Sequence, residues 1–206
     1  NGNQIHERKL NTKPNHPEME KFQNKYRIPT NRLAGWDYGW DGAYFITICT
    51  HNREHYFGGF ENTLWVPSDL GQLAEKYWNE IPQKFPFVSL GAFVVMPNHV
   101  HGILIIDHGV IPADIELLLE SNSVNSNKGG FAGNKNPMLN DNISRIIRWY
   151  KGRCSYEMRK FHADFAWQTR FYDHIIRNDE SYEKITNYII NNPNKWVEDR
   201  FYGTSI

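Results

Sequence analysis

From Phe87 to Asp107 the chain runs FVSLGAFVVMPNHVHGILIID, two β-rich stretches with almost nothing between them. Strands are expected over Phe87–Met96 and Asn98–Asp107. Pro97 has no N–H to give to a ladder, so a turn or bulge is expected there. Whatever fold the chain adopts must be built around that pair. Upstream, Tyr44–Thr50 (YFITICT) is dense in β-branched and aromatic residues and reads as a first strand. Ser68 and Asp69 offer N-caps for a helix running to about Phe85, whose Leu70, Leu73, Tyr77 and Ile81 recur at helical spacing. Downstream, a second helix is expected from about Asp141 to Phe161, with Ile143, Ile147, Tyr150 and Cys154 on one face. Trp167–Ile176 reads as a fourth strand. Asp179 and Glu180 open a last helix, where their charges suit its N-terminal dipole, and Pro193 closes it.

The order is β-α-β-β-α-β-α. Its first six elements match an α+β, ferredoxin-like split βαβ: an antiparallel sheet with helices on one face. An extended N-terminal arm (1–40) precedes a domain over 41–206 that ends in a C-terminal helix. Residues 120–140 are rich in Asn, Ser and Gly and bury too little apolar surface to offset their ordering entropy, so a flexible insertion is expected.

Formal net charge is zero, so bulk electrostatics says nothing about nucleic acid. Its distribution says more. Residues 1–32 carry seven Lys/Arg against three Asp/Glu, and residues 140–177 carry eight against four. Phosphate binding needs only a local basic surface. The two cysteines, Cys49 and Cys154, are too few for a disulfide framework and fit a reducing, cytoplasmic setting. NGNQIHERKL lacks a signal-peptide core, and no apolar run approaches the roughly 18–20 residues of a membrane span. No Walker-type Gly-rich loop is present.

The sharpest local feature is the histidine pair. His99 and His101 are two apart in a strand, so both imidazoles leave one face, while Val100, Gly102 and Leu104 leave the other. Two imidazoles so placed can converge on one cation, which a third ligand would complete. The alternative is a pair of core histidines, each needing a buried partner. In the last helix Tyr188 and Asn192 are i and i+4 and share a face. A phenolate is a nucleophile and an amide oxygen a hard metal ligand; equally, Tyr188 can simply pack against Ile185 and Ile189. The second helix carries Arg145, Arg148, Lys151 and Arg153 with Trp149 and Tyr150 interleaved, a pattern suited to phosphates and unpaired bases or to a solvated face.

Four segments together, YRIPTNRLAGWDYGWDGAYFITICTHNREHYFG, FVVMPNHVHGILII, WQTRFYDHIIRNDESY and YIINNPNKW, resemble the REP-associated tyrosine transposases of the HUH single-tyrosine superfamily, where U is a bulky apolar residue. The resemblance runs from about Tyr26 to Trp196. It implies a ferredoxin-like domain that cuts single-stranded DNA beside imperfect hairpins. A tyrosine there forms a 5′-phosphotyrosine bond and frees a 3′-OH, with magnesium or manganese as cofactor. By motif, the metal-holding histidines fall on His99 and His101, the nucleophile on Tyr188 and the metal-completing residue on Asn192. His174 and Asp173, in the YDHIIR segment, are expected to support the site. Arg145, Arg148, Lys151, Arg153, Arg170 and Arg177 are the expected DNA-binding set. The implied partner is single-stranded DNA with a REP-like hairpin, bound by a monomer or homodimer, cytoplasmic and nucleoid-associated. Two other functions share these features: a catalytically silent DNA-hairpin-binding protein, and a replication or relaxase-type nickase.

Overall fold

The computed structural model describes residues 38–62, 64–110 and 142–202. The insertion expected at 120–140 and nearly all of the expected arm lie outside these residues. Strand β1 (Gly42–Cys49) is followed by a short hairpin, β2 (Gly58–Glu61) and β3 (Leu64–Pro67). Helix α1 (Asp69–Asn79) and the one-turn α2 (Ile81–Lys84) come next, then β4 (Val88–Met96) and β5 (His99–Ile106). Helix α3 (Ile143–Met158), strand β6 (Tyr172–Ile176) and helix α4 (Asp179–Asn191) complete the order, and a 3₁₀ segment, Pro193–Glu198, follows.

The main sheet has the order β4-β5-β1-β6, and every neighbouring pair is antiparallel. This is the split βαβ arrangement: two chain-adjacent strands lie at one side and β1 sits between β5 and β6. Pro97 and Asn98 form the turn between β4 and β5, as the missing N–H requires.

Side-chain alternation divides the sheet into two faces. Tyr44, Ile46, Ile48, Val100 and Leu104 point to one face, where Ala74 and Trp78 of α1 and Ile146, Ile147 and Tyr150 of α3 complete the main core. Gly102 lies in this packing. A Cβ there would come 2.3 Å from Cζ2 of Trp78, so only glycine lets the indole lie flat against β5 and stack at 4.6 Å on Phe93. The opposite face carries Phe45, Ile103, Ile105 and Ile176, covered by Tyr182, Ile185 and Ile189 of α4. The helices begin where the sequence offers caps: Ser68, Asn142 and Asn178 each accept a backbone N–H three residues on.

Three expectations change. The β2–β3 hairpin fills a stretch read as connection; its strands have four residues each and almost no buried side chains, so no hydrophobic alternation announces them. The first helix stops at Asn79, because Pro82 can sit in the first turn of a new helix but not inside the old one. The fourth strand is only Tyr172–Ile176; Trp167 makes a single bridge to Thr50 and then packs into the core.

Candidate active site

The histidine strand β5 is central in the sheet, so both imidazoles are buried, His99 at 0% and His101 at 1% exposure. Their ring centroids lie 4.4 Å apart. Each ring is held by its Nδ1. His99 Nδ1 donates to Asn98 Oδ1 at 2.8 Å; that amide is oriented because its Nδ2 donates to the Phe201 carbonyl at 2.9 Å. His101 Nδ1 is 2.8 Å from the hydroxyl of Thr47, directly across on β1. A proton on Nδ1 leaves Nε2 with its lone pair, the tautomer a metal ligand needs. Burial pushes both groups down, His99 well below the usual range with the neighbouring His101 adding to it, and His101 to about 3. Both rings are therefore neutral at physiological pH.

Helix α4 crosses this face and delivers Tyr188. Its hydroxyl lies 3.2 Å from His101 Nε2, within hydrogen-bond distance, and its ring meets Phe45 edge-on at 6.1 Å. Burial raises the phenol pKa and the Asp199 charge raises it further, while Arg200 and a hydrogen bond from Asn192 pull the other way. Tyr188 nonetheless keeps 44% of its surface exposed, at the wall of a cavity of about 510 Å³ shared with Lys184, Asn192, Lys195, Asp199 and Arg200.

The turn after α4 folds back over the histidines. Trp196 and Phe201 pack on His99, with ring centroids at 6.0 and 4.6 Å. This brings in a residue that sequence reading missed, Asp199. Ligand atoms of His99, His101 and Asp199 all lie within 4.8 Å of one another. Asp199 is held in place: its Oδ1 accepts from the Phe201 N–H at 2.7 Å and its Oδ2 from Asn192 Nδ2 at 3.1 Å. Asn192 is therefore at the site, with its Oδ1 buried and unpartnered. The buried His99 Nε2 also has no partner. A lone pair sealed from water without a donor costs free energy that a cation would remove. Two imidazoles, a carboxylate and an adjacent amide oxygen are a donor set that fits a divalent ion. The signal for Asp199 was weak but present: Trp196 and Phe201 beyond Pro193 are apolar anchors for a segment returning to the domain.

The remaining expected residues are dispersed. His174 lies on the site face of β6, exposed, with Phe45 of β1 as its partner across the strands. Asp173 pairs with Ile46, on the opposite face. Arg145, Arg148 and Arg153 line a groove of about 640 Å³ with Lys84, Trp149 and Tyr156, on the helical side of the sheet and away from Tyr188. Arg153 is also engaged by Glu157 at 3.3 Å and lies over the Tyr77 ring. Lys151 does not belong to that exposed surface. Its Nζ donates to the Gln168 carbonyl, and burial lowers its pKa to about 8. Arg170 and Arg177 are exposed at either end of the β6 segment.

No protein-family model matches the chain. A protein of Haemophilus influenzae, itself uncharacterized, is 37% identical over 173 residues, covering 83% of this chain and 91% of the relative. A solved structure of a REP-associated tyrosine transposase bound to a REP hairpin superposes with a TM-score of 0.52 at 20% identity, over 82% of this chain and 74% of that one. The chain belongs to the family of the Haemophilus influenzae protein, and its fold is that of the REP-associated tyrosine transposase. Among the described residues, no helix is long and apolar enough to cross a membrane.

Proposed function

We propose that this chain, with the fold of a tyrosine transposase, is a metal-dependent single-tyrosine endonuclease and strand transferase. It would cut single-stranded DNA beside a hairpin through a 5′-phosphotyrosine. One observation carries the reading: a half-exposed tyrosine hydroxyl stands 3.2 Å from a buried imidazole 87 residues away in the chain, at the mouth of an open cavity.

His99 Nε2, His101 Nε2 and Asp199 would hold the cation, with the Asn192 amide beside them. A divalent ion there supplies Lewis-acid polarisation of a phosphoryl oxygen; the mixed nitrogen and oxygen donors suit manganese at least as well as magnesium. The chain's own residues do the rest. Thr47 and Asn98 fix the two ring orientations through Nδ1. Asn192 and the Phe201 amide hold the carboxylate. Tyr188 enters on a helix packed against the sheet, so its oxygen is positioned before substrate arrives, which lowers the entropy of reaching the attack geometry. With its Nε2 committed to the cation and its Nδ1 to Thr47, His101 would not take the phenol proton. That proton leaves through the open cavity as positive charge gathers around the oxygen. The tyrosine oxygen bonds to phosphorus, the P–O3′ bond breaks, and the freed 3′ oxygen takes up a proton. A second 3′-OH reverses the step and joins strands without an energy-supplying nucleotide. Arg145 and Arg148 on the helical face, with Arg170 and Arg177, are proposed to hold more distant parts of the DNA, in keeping with the hairpin bound to the structural neighbour.

The test is covalent capture. Wild type and Tyr188→Phe are incubated with labelled single-stranded hairpins from the DNA flanking the coding region, with manganese, and run on a denaturing gel. An adduct with wild type alone is expected. An adduct that persists in Tyr188→Phe places the nucleophile elsewhere. Binding with no adduct in either protein makes the silent hairpin binder the better reading.

A further inference from the structure

Two arginines outside every expected set converge beside the histidines. Arg53 follows β1 in the one-turn His51–Arg53 segment, and Arg200 lies in the turn after the last helix, 147 residues later. Both guanidinium groups lie over the same ring, that of Phe201, at 4.8 and 4.5 Å from its centroid. That ring packs 4.6 Å from His99 and 6.1 Å from His101. Arg53 Nη1 also donates to the Arg200 carbonyl at 3.3 Å, which ties the two segments together.

Three features of this pair are costly to the free protein. Two like charges are gathered on one aromatic ring. Neither makes an ion pair with a carboxylate among the described residues, although Asp199 is the neighbour of Arg200 in sequence. The backbone that presents Arg53 is strained: Asn52 and Arg53 both adopt left-handed conformations, with φ of 50° and 58°. A left-handed arginine persists only where the surroundings over-determine it. Here they do. The His51 N–H donates to the Ala166 carbonyl at 2.8 Å, the Arg53 N–H to the Thr50 carbonyl at 3.2 Å, and Thr50 Oγ1 to the Asn98 carbonyl at 3.0 Å. The turn is bolted to the end of the histidine hairpin, and the bolting aims Arg53 at the site. The first two costs are relieved by one kind of ligand, an anion with oxygens for two guanidinium forks; the strained turn serves to present Arg53 to it.

We propose that Arg53 and Arg200, on their shared Phe201 platform, form a binding site for a backbone phosphate of single-stranded DNA next to the one that Tyr188 attacks. The inference rests on the reading of Tyr188 as a DNA nucleophile for its position along the strand, but the anion site itself does not. Arg200 also lines the cavity beside Tyr188, so a strand entering there meets it directly. The pair sets where the strand lies relative to the tyrosine.

The test measures binding without chemistry. Fluorescein-labelled oligodeoxythymidine of 12 nucleotides is titrated by anisotropy into Tyr188→Phe protein in EDTA over a series of salt concentrations. Arg53→Gln and Arg200→Gln together, added to that background, are expected to flatten the slope of log affinity against log salt by about 0.7, the value for one lost phosphate contact on a single strand, and each alone by less. Arg53→Lys keeps the charge and should keep the slope; it guards against a misfolded turn, as does an unchanged melting temperature for exposed Arg200→Gln. A folded double variant with the parental slope overturns the proposal. The covalent-capture assay on wild type is independent. A captured adduct with no slope change removes the phosphate site and leaves the tyrosine reading. A slope change with no adduct keeps the anion site and removes the tyrosine chemistry.

Discussion

The same four strands present two different surfaces. On the α1–α3 face the buried core is apolar and aromatic, with indole and phenol groups such as Tyr150, whose hydroxyl donates to the Ala74 carbonyl at 3.1 Å. On the α4 face, one residue along each strand, lie Thr47, His99 and His101, then Asn192 and Asp199. A one-residue change in register would exchange the two sets. Buried atoms without partners occur on both faces, but they differ in kind: on the first they include the indole N–H groups of Trp78 and Trp167, which only donate, and on the second the acceptors His99 Nε2 and Asn192 Oδ1. Packing removes water most completely from the centre of the sheet, so lone pairs there cost most when unmatched and gain most from a ligand. Only the second face gathers unmatched acceptors that a cation could join.

The contrast can be broken by substitution. The largest effect is expected at the histidines. His101→Ala should abolish detectable adduct formation, a loss on the order of 10³-fold or more, since several kcal/mol of charge stabilisation would go with the cation; manganese titration by calorimetry should show weakened binding. If binding is unchanged in His99→Ala/His101→Ala, the metal assignment falls. On the other face Trp78→Ala should cost about 3–5 kcal/mol of stability by denaturant unfolding, because a fully buried indole leaves a cavity. What folded protein remains should still form the adduct. Asp199→Asn keeps the shape of the site but removes its anionic ligand, and should weaken manganese binding about 10- to 100-fold with little change in melting temperature. Gly102→Ala adds one methyl against Trp78 and should cost about 1–3 kcal/mol, with metal binding retained.

A smaller effect separates the faces by pH. Burial lowers both histidine pKa values in the folded state, so the unfolded chain binds more protons as pH falls below the ordinary value near 6.5. The stability from neutral, buried imidazoles is full above that value and is lost progressively as pH falls toward about 3. In EDTA, His101→Gln should show a shallower loss of stability between roughly pH 6.5 and 4 than wild type. Parallel curves would mean that the histidines do not govern this acid limb.

The order of elements, the antiparallel hairpin through Pro97, the common face of His99 and His101, and the side of α3 that packs were all set by local chemistry: period-2 and period-3.6 patterns, a missing N–H, and capping side chains. Those rules act within a few residues, so they can be read along the chain. They also place Tyr188 and Asn192 on one side of a helix. They cannot say which face of the sheet that helix covers, because this depends on packing between segments that are distant in sequence. Nor do they reach Asp199 or the Arg53–Arg200 pair, which are brought beside the histidines only because Trp196 and Phe201 dock the last turn against His99. The expected basic helix illustrates the reverse. Lys151 was grouped with its neighbours by sequence, yet one step around the helix puts its ammonium on the Gln168 carbonyl instead of in solvent. Helical phase is local, but which part of the circumference meets solvent is decided by what packs against it.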